Sequence, residues 1–258
     1  MSQSHPTTAP IGILCALPEE LRLYREEVER ATAATHGGIE VVRGTLAGCR
    51  VVLVESGIGK VNAASAATVL VERYACDRLL LSGVAGALDP ALSIGDVVVG
   101  TRVVQHDYGR ADDDGIVAYQ PGGAPVPGAG DRVGWPLRAD LLAHVHAALA
   151  EEPLPGIRAR SGDVPHVPAV HFGTIATGDV FVASDAVRER IRARFGALAV
   201  DMESGAMAQV AERYGVAWLV VRAVSDLAGR EGLVDFGVFL EDAAHTAAAL
   251  VRRLVPVL

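Results

Sequence analysis

Short apolar runs, each followed by a helix-like stretch, limit what this chain can fold into. "IGILCAL" (11–17), "RLLLSGVAG" (78–86) and "AWLVVRAV" (217–224) are nearly continuous rather than alternating, the pattern of strands buried on both faces. Pro18 opens "PEELRLYREEVERA", and a proline's missing N–H costs nothing in a first helical turn, so a helix is expected over 18–31. "IEVVRGTLAG" (39–48) and "RVVLVES" (50–56) resemble an antiparallel pair turning at Gly48–Cys49. "KVNAASAATVLVERY" (60–74) has helical composition, and "GDVVVGTRVVQHD" (95–107) is a further β run. Beyond it come a helix over 138–152, the strand "HFGTIATGD" (171–179), and a helix "DAVRERIRARF" with Ser184 placed to cap it. A helix from Ser204 and a terminal helix near 235–255 complete the pattern.

Alternating strands and helices imply an α/β fold, here a three-layer arrangement with a central mixed β-sheet flanked by helices. No internal repeat or linker divides the chain, so residues 1–258 are expected to form a single domain, with 1–10 a flexible tail. Residues 108–136, rich in Gly, Pro and Asp, read as a long loop: a lid, an interface element, or plain disorder.

Composition removes several function classes. Half of the 258 residues are hydrophobic, enough to bury a substantial core. Net charge is −8 with no basic block, which argues against nucleic acid as a partner. No run approaches the roughly 18 apolar residues that cross a bilayer, and no secretion signal opens the chain, so a cytoplasmic protein with no membrane partner is expected. Cys15, Cys49 and Cys76 are odd in number and scattered, which favours buried reduced thiols over a disulfide framework or a zinc site.

In sheets of this kind, ligands bind at the carboxyl ends of strands, where loops converge. Polar residues that a pure core does not need stand there in "LPEE", "SGVAGA", "TGDVF", "VSDLAG" and "VDMES". Asp201 and Glu203, two apart, share a face on a strand and are split on a helix. Side by side in an apolar setting they have perturbed ionisation unless donors or a ligand's hydroxyls satisfy them.

"IGILCALPEEL", "ESGIGKVNAA", "GVAGALDPALSIGDVVV", "QHD", "TGDVFV", "AVDMESGAMAQVA" and "VVRAVSDLAG" stand in the order and spacing of the nucleoside phosphorylase/hydrolase superfamily. The chain most resembles the 5′-methylthioadenosine/S-adenosylhomocysteine nucleosidases, from about residue 11 to 255. That resemblance implies hydrolysis of the N-glycosidic bond of adenine thioribosides, without metal or organic cofactor, by a homodimer whose partner is a small adenine nucleoside.

It also implies roles. Glu20 matches the glutamate that activates the attacking water; the alternative is a solvated first-turn glutamate favoured by the helix dipole. Glu203 matches the acceptor for the ribose hydroxyls, with Met202 beside the sugar or simply in the core. Asp226 matches the acid that protonates purine N7. Ser225 and Arg222 match residues that orient it, a structural ion pair being the other reading of Arg222. Phe181 and Val182 match positions that stack on adenine and bind its edge. Phe236 matches a residue closing over the base, although "LVDFGVFL" also reads as an ordinary amphipathic helix.

Departures from the family are informative. Val84 in "GVAGAL" stands where the family commonly has serine, and Ala87 replaces a glycine. Related phosphorylases use that serine, with arginines, to hold phosphate, so its loss favours water as nucleophile. The rivals are a purine nucleoside phosphorylase, a hydrolase of another nucleoside such as a futalosine-like compound, and an inactive nucleoside-binding homologue. "SGIGKVN" lacks the first glycine and the Ser/Thr of a phosphate loop and reads as a tight turn at a helix start. His144 and His146 point to different sides of a helix, and "ADDDG" lacks a calcium-loop pattern. His106 in "QHD" reads as support for a loop.

Overall fold

Ten strands form one sheet in the computed structural model, which describes residues 9–113, 115–124, 133–149, 167–230 and 232–258. In chain order the strands are β1 (Ile11–Cys15), β2 (Glu29–His36), β3 (Ile39–Leu46), β4 (Cys49–Glu55), β5 (Arg78–Ala87), β6 (Val97–Gln105), β7 (Gly109–Asp112), β8 (Gly115–Ala118), β9 (Trp135–Pro136), β10 (Val170–Thr177), β11 (Ala197–Asp201) and β12 (Ala217–Asp226). The helices are α1 (Pro18–Arg25), α2 (Lys60–Tyr74), α3 (Ala139–Leu149), α4 (Asp185–Phe195), α5 (Ser204–Tyr214) and α6 (Gly232–Leu254). Most of the expected tail, residues 125–132 of the expected loop and the last three residues of the 138–152 helix lie outside the described residues.

The continuous apolar runs occupy the middle of the sheet, as their composition requires. β12, β5, β1 and β4 lie side by side and parallel, with Leu79, Leu80, Leu81, Val220 and Val221 buried. β6, β10 and β11 are parallel to one another, but β6 runs antiparallel to β12. β11 then pairs antiparallel with β5, Ala199 facing Ala87 and Val200 facing Gly86. Five strands therefore close on themselves, and the end of β11 meets the ends of β5 and β12. α2 packs with α5, and α1 with α6, against these strands, so the sheet is mixed and flanked by helices. No helix among the described residues is long and apolar enough to cross a membrane.

Four local expectations are corrected. The helix expected over 18–31 stops at Arg25, and Glu29–His36 instead becomes β2, antiparallel to β3. Leu21, Leu23 and Tyr24 are buried, whereas "EEVERA" offers no apolar stripe, so the ladder at β3's free edge outweighs helix propensity. The β3–β4 turn sits one residue earlier than expected, at Ala47–Gly48, where both residues have positive φ (47° and 78°), as the tightest hairpin turns require. Ser184 precedes α4 but its side chain makes no capping hydrogen bond. The region expected as a loop carries the β7–β8 hairpin and β9.

Leu70 of α2 is fully buried, and its Cδ1 lies so close over Gly12 of β1 that a Cβ there would meet it at 2.9 Å. Leu70→Ala is therefore expected to lower the unfolding free energy by about 2–5 kcal/mol, read as an earlier midpoint in urea titration.

Candidate active site

Arg222, on central strand β12, is 1% exposed. A buried guanidinium persists only where carboxylates surround it, and three do. Its Nε donates to Asp201 Oδ2 at 2.8 Å and its Nη2 to Glu203 Oε2 at 2.8 Å. Burial alone would push Arg222 down, but the charges of Asp201, Glu203 and Glu20 outweigh it and hold the guanidinium above its ordinary value. Asp201 is fixed in turn by Thr177 Oγ1 at 2.6 Å and by the Ser204 hydroxyl.

Glu20 reaches this cluster because Pro18 starts α1 directly after β1, placing Glu20 in the first turn with its side chain turned back. Oε2 accepts the Ala16 and Leu17 N–H groups at 2.8 and 3.0 Å, and Oε1 accepts Val84 N–H at 2.9 Å. It is buried, which removes the solvated first-turn alternative. Burial raises its pKa, against the opposing pull of Arg222 and the three N–H donors. Gly83 makes the approach possible: a Cβ there would stand 2.3 Å from Glu20 Oε1 and 2.5 Å from Arg222 Nη1.

Asp226 is aimed by a bulge. β12 pairs Val224 with Ala85 but Asp226 with Gly86, so Ser225 is the extra residue, and Asp226 takes the position that simple alternation gives to 225. Its Oδ1 accepts Ala228 N–H at 2.9 Å, and Ser225 Oγ donates to Oδ2 at 3.0 Å. Burial raises the Asp226 pKa, and Asp235 pushes the same way while those two hydrogen bonds oppose it. A Cβ at Gly86 would come within 2.9 Å of Oδ1. Both glycines of "SGVAGA" thus leave room for an acidic side chain.

β11 ends at Asp201, and Glu203 lies two residues on, at the N-cap position of α5. The two carboxylates are not on one strand face; they converge because Arg222 lies between them. Glu203 Oε1 also accepts Gly59 N–H at 2.8 Å. Burial pushes Glu203 up to about 7, with Arg222 opposing and Asp201 adding to the rise.

One pocket collects every residue given a catalytic or substrate-binding role from the sequence, together with Val84: Glu20, Phe181, Val182, Met202, Glu203, Arg222, Ser225, Asp226 and Phe236. Buried carboxylates line it, and Val84, Val180, Val182, Phe181 and Phe236 add apolar lining. Phe181 and Phe236 meet edge to face at 5.9 Å, and both line the pocket. Phe236 lies on α6 as the amphipathic reading expected, and its ring also borders the pocket. Among the described residues lining the pocket, Arg222 is the one cation. Among the described residues, no three His, Cys, Asp or Glu side chains come together to hold a metal ion. Sequence reasoning missed Thr177, Gly83 and Gly86; the doubled glycine in "SGVAGA" was the available signal.

Raised carboxylates have a measurable consequence. Glu203 moves from an ordinary 4.5 to about 7, so its contribution to stability is fully present below about 4.5 and is lost as pH rises through 7. Glu203→Gln should therefore flatten the fall in unfolding free energy between pH 4.5 and 7, measured by denaturant titration at several pH values. Parallel curves for the two proteins would contradict the raised value.

Comparison with known proteins places this geometry. Residues 10–256 match the model of the phosphorylase superfamily. A 5′-methylthioadenosine/S-adenosylhomocysteine nucleosidase of Mycobacterium tuberculosis is 39% identical over 248 residues, covering 96% of this chain and 97% of the relative. The solved nucleosidase of the same name from Colwellia psychrerythraea, in complex with adenine, superposes with a TM-score of 0.81 at 30% identity, covering 97% of this chain and 96% of that one. Futalosine hydrolase of Helicobacter pylori superposes with a TM-score of 0.82 at 29% identity, covering 97% and 99%. The chain belongs to the phosphorylase superfamily and, within it, to the 5′-methylthioadenosine/S-adenosylhomocysteine nucleosidase family.

Proposed function

We propose that this protein hydrolyses the N-glycosidic bond of 5′-methylthioadenosine and S-adenosylhomocysteine-type nucleosides, releasing adenine. The observation that carries the reading is the convergence of Glu20, Glu203 and Asp226 on one apolar-walled pocket. Loss of adenine leaves an oxocarbenium-like sugar, so the enzyme must protonate the departing base and accommodate positive charge. Asp226, its pKa raised by burial, supplies the proton to N7, and the Ser225 hydroxyl orients it. Glu203 accepts the ribose hydroxyls, and its charge complements the cation forming on the sugar. Glu20, immobilised by three backbone N–H groups, takes a proton from the attacking water. Phe181 and Phe236 enclose the base, Val182 meets its edge, and Met202 packs beside the ribose.

Water rather than phosphate is the nucleophile in this reading. Four carboxylates border the pocket against one guanidinium, and Arg222 spends its Nε and Nη2 on Asp201 and Glu203. The described lining thus holds no uncommitted cation for a phosphate dianion. Val84 contributes only its N–H, to Glu20, and has no hydroxyl for an anion.

The reading takes residues 1–258 as one domain acting in the cytoplasm in methionine salvage. It includes a homodimer: Ile58, Val61, Val180, Leu233, Val234 and Val238 are exposed apolar residues, of which Ile58, Val180 and Leu233 border the pocket, a surface suited to a second copy of this chain. The futalosine hydrolase likeness favours a second reading in which the 5′ substituent is larger. Adenine or base release from methylthioadenosine, S-adenosylhomocysteine and futalosine, compared under the same conditions, separates the two.

Asp226→Asn is expected to lower adenine release by about 10²–10⁴-fold, the usual worth of a positioned acid, while retaining ligand binding; undiminished turnover would remove Asp226 from the mechanism. Rates in phosphate-free and phosphate buffers should be equal, with free thioribose as product. Sugar 1-phosphate in the product mixture would make the enzyme a phosphorylase instead.

A further inference from the structure

Beside the pocket lies a charged cluster with no part in the chemistry above. Lys60 Nζ donates to Asp107 Oδ1 at 2.6 Å and stands 3.7 Å from Asp179 Oδ2. Asp107 Oδ2 accepts the Asp179 N–H at 2.8 Å, and Asp179 Oδ1 accepts the Lys60 N–H at 2.8 Å. Three chain segments meet here: the start of α2, the end of β6 and the end of β10. Lys60 and Asp107 keep only 17% and 19% of their side chains exposed, so solvent screens this pair less than a surface ion pair. The hydrogen bonds from Lys60 and Asp179, with the Lys60 charge, hold Asp107 below its ordinary pKa although burial alone would raise it.

What the cluster immobilises is the entry to α2. Gly59, at the N-cap with φ of 101°, has no side chain to cap the helix. The exposed N–H groups of a helix start need acceptors, and two carboxylates from distant segments supply them: Asp179 takes Lys60 N–H and Glu203 takes Gly59 N–H. A Cβ at Gly59 would stand 3.2 Å from Asp179 Oδ1, so the loop lies directly against the acidic side chain. "SGIGKVN", "QHD" and "TGD" are thereby parts of one device.

We propose that Lys60, Asp107 and Asp179 form a clamp that positions Glu203 for the ribose, by holding the Gly59 N–H on Glu203 Oε1. They are positioning residues: none lines the pocket. The clamp also sets the segment that follows Asp179, and Val180, Phe181 and Val182 of that segment line the base side of the pocket. The inference rests on the nucleosidase reading and adds to it the residues that set the geometry of the ribose acceptor.

Glu203 is faced by Arg222 of β12, Asp201 of β11, Glu20 of α1 and the Gly59 N–H; the clamp itself is faced by His106, at the end of β6. Losing the Gly59 donor removes one of the two influences that favour the ionised form of Glu203, so its pKa rises. Glu203 must be ionised to accept the diol, so the acid limb of the kcat/KM profile moves to higher pH. Lys60→Met and Asp107→Asn are the variants, with Lys60→Arg as the conservative replacement. The expected result is a kcat/KM for methylthioadenosine lowered about threefold at pH 6, matching an acid limb shifted upward by about half a unit, and restoration of both by Lys60→Arg. Amide hydrogen exchange across residues 57–60 should quicken in the two disruptive variants and not in Lys60→Arg. Because Asp107→Asn keeps the shape of the side chain, it carries the test if Lys60→Met does not fold. A folded variant with the wild-type acid limb and unchanged exchange overturns the clamp. A wild-type chain that releases no adenine overturns the functional reading instead, and the exchange measurement still decides whether the clamp holds Gly59.

Discussion

The fold and the site share one dependence, the burial of Arg222 at the centre of the sheet. A guanidinium that deep is tolerable only with carboxylates around it, and those it gathers come from three different elements. Asp201 ends β11, Glu203 opens α5 and Glu20 sits in the first turn of α1. The closed group of five strands makes this possible, because β11 crosses back to pair with β5. Without that pairing, the acidic ends of β11 and β12 would lie at separate places in the sheet.

The charge balance of the cluster is what suits it to chemistry. One arginine does not neutralise three carboxylates, and burial penalises whatever charge is left over, so Glu20 and Glu203 are both raised. Asp226, apart from the arginine and held by Ser225 and Ala228, is raised by burial as well. Environments that separate acid from base roles are how a site of chemically similar groups divides labour. The apolar walls contributed by Phe181, Phe236 and Val84 maintain the low dielectric on which all these shifts rest.

Much of this was legible along the chain. The buried runs marked the middle of the sheet, Pro18 marked the start of α1, and polar residues after those runs marked the strand ends that border the pocket. What escaped notice escaped for physical reasons. The end of the "EEVERA" segment, from Glu29, reads as helix by propensity but enters an edge strand, because only the folded sheet presents the ladder it joins. Lys60, Asp107 and Asp179 are ordinary charged residues in their local contexts, and nothing short of three segments meeting reveals the cluster they form. Asp201 and Glu203 would share a face only if both lay on a strand; the strand ends at Asp201, and the arginine between them brings the pair together.

Local chemistry along the chain was enough to determine the buried central strands and the acidic groups at their ends: apolar runs must be buried, and a carboxylate kept inside one must have a partner or a ligand. The tertiary structure alone decided which carboxylate faces which donor. Those pairings depend on strand closure, on the single extra residue at Ser225 that turns Asp226, and on glycines at 83 and 86 whose missing side chains admit Glu20 and Asp226. Distances of a few ångströms between residues two hundred positions apart set the electrostatics, and no pattern of neighbours in sequence encodes them.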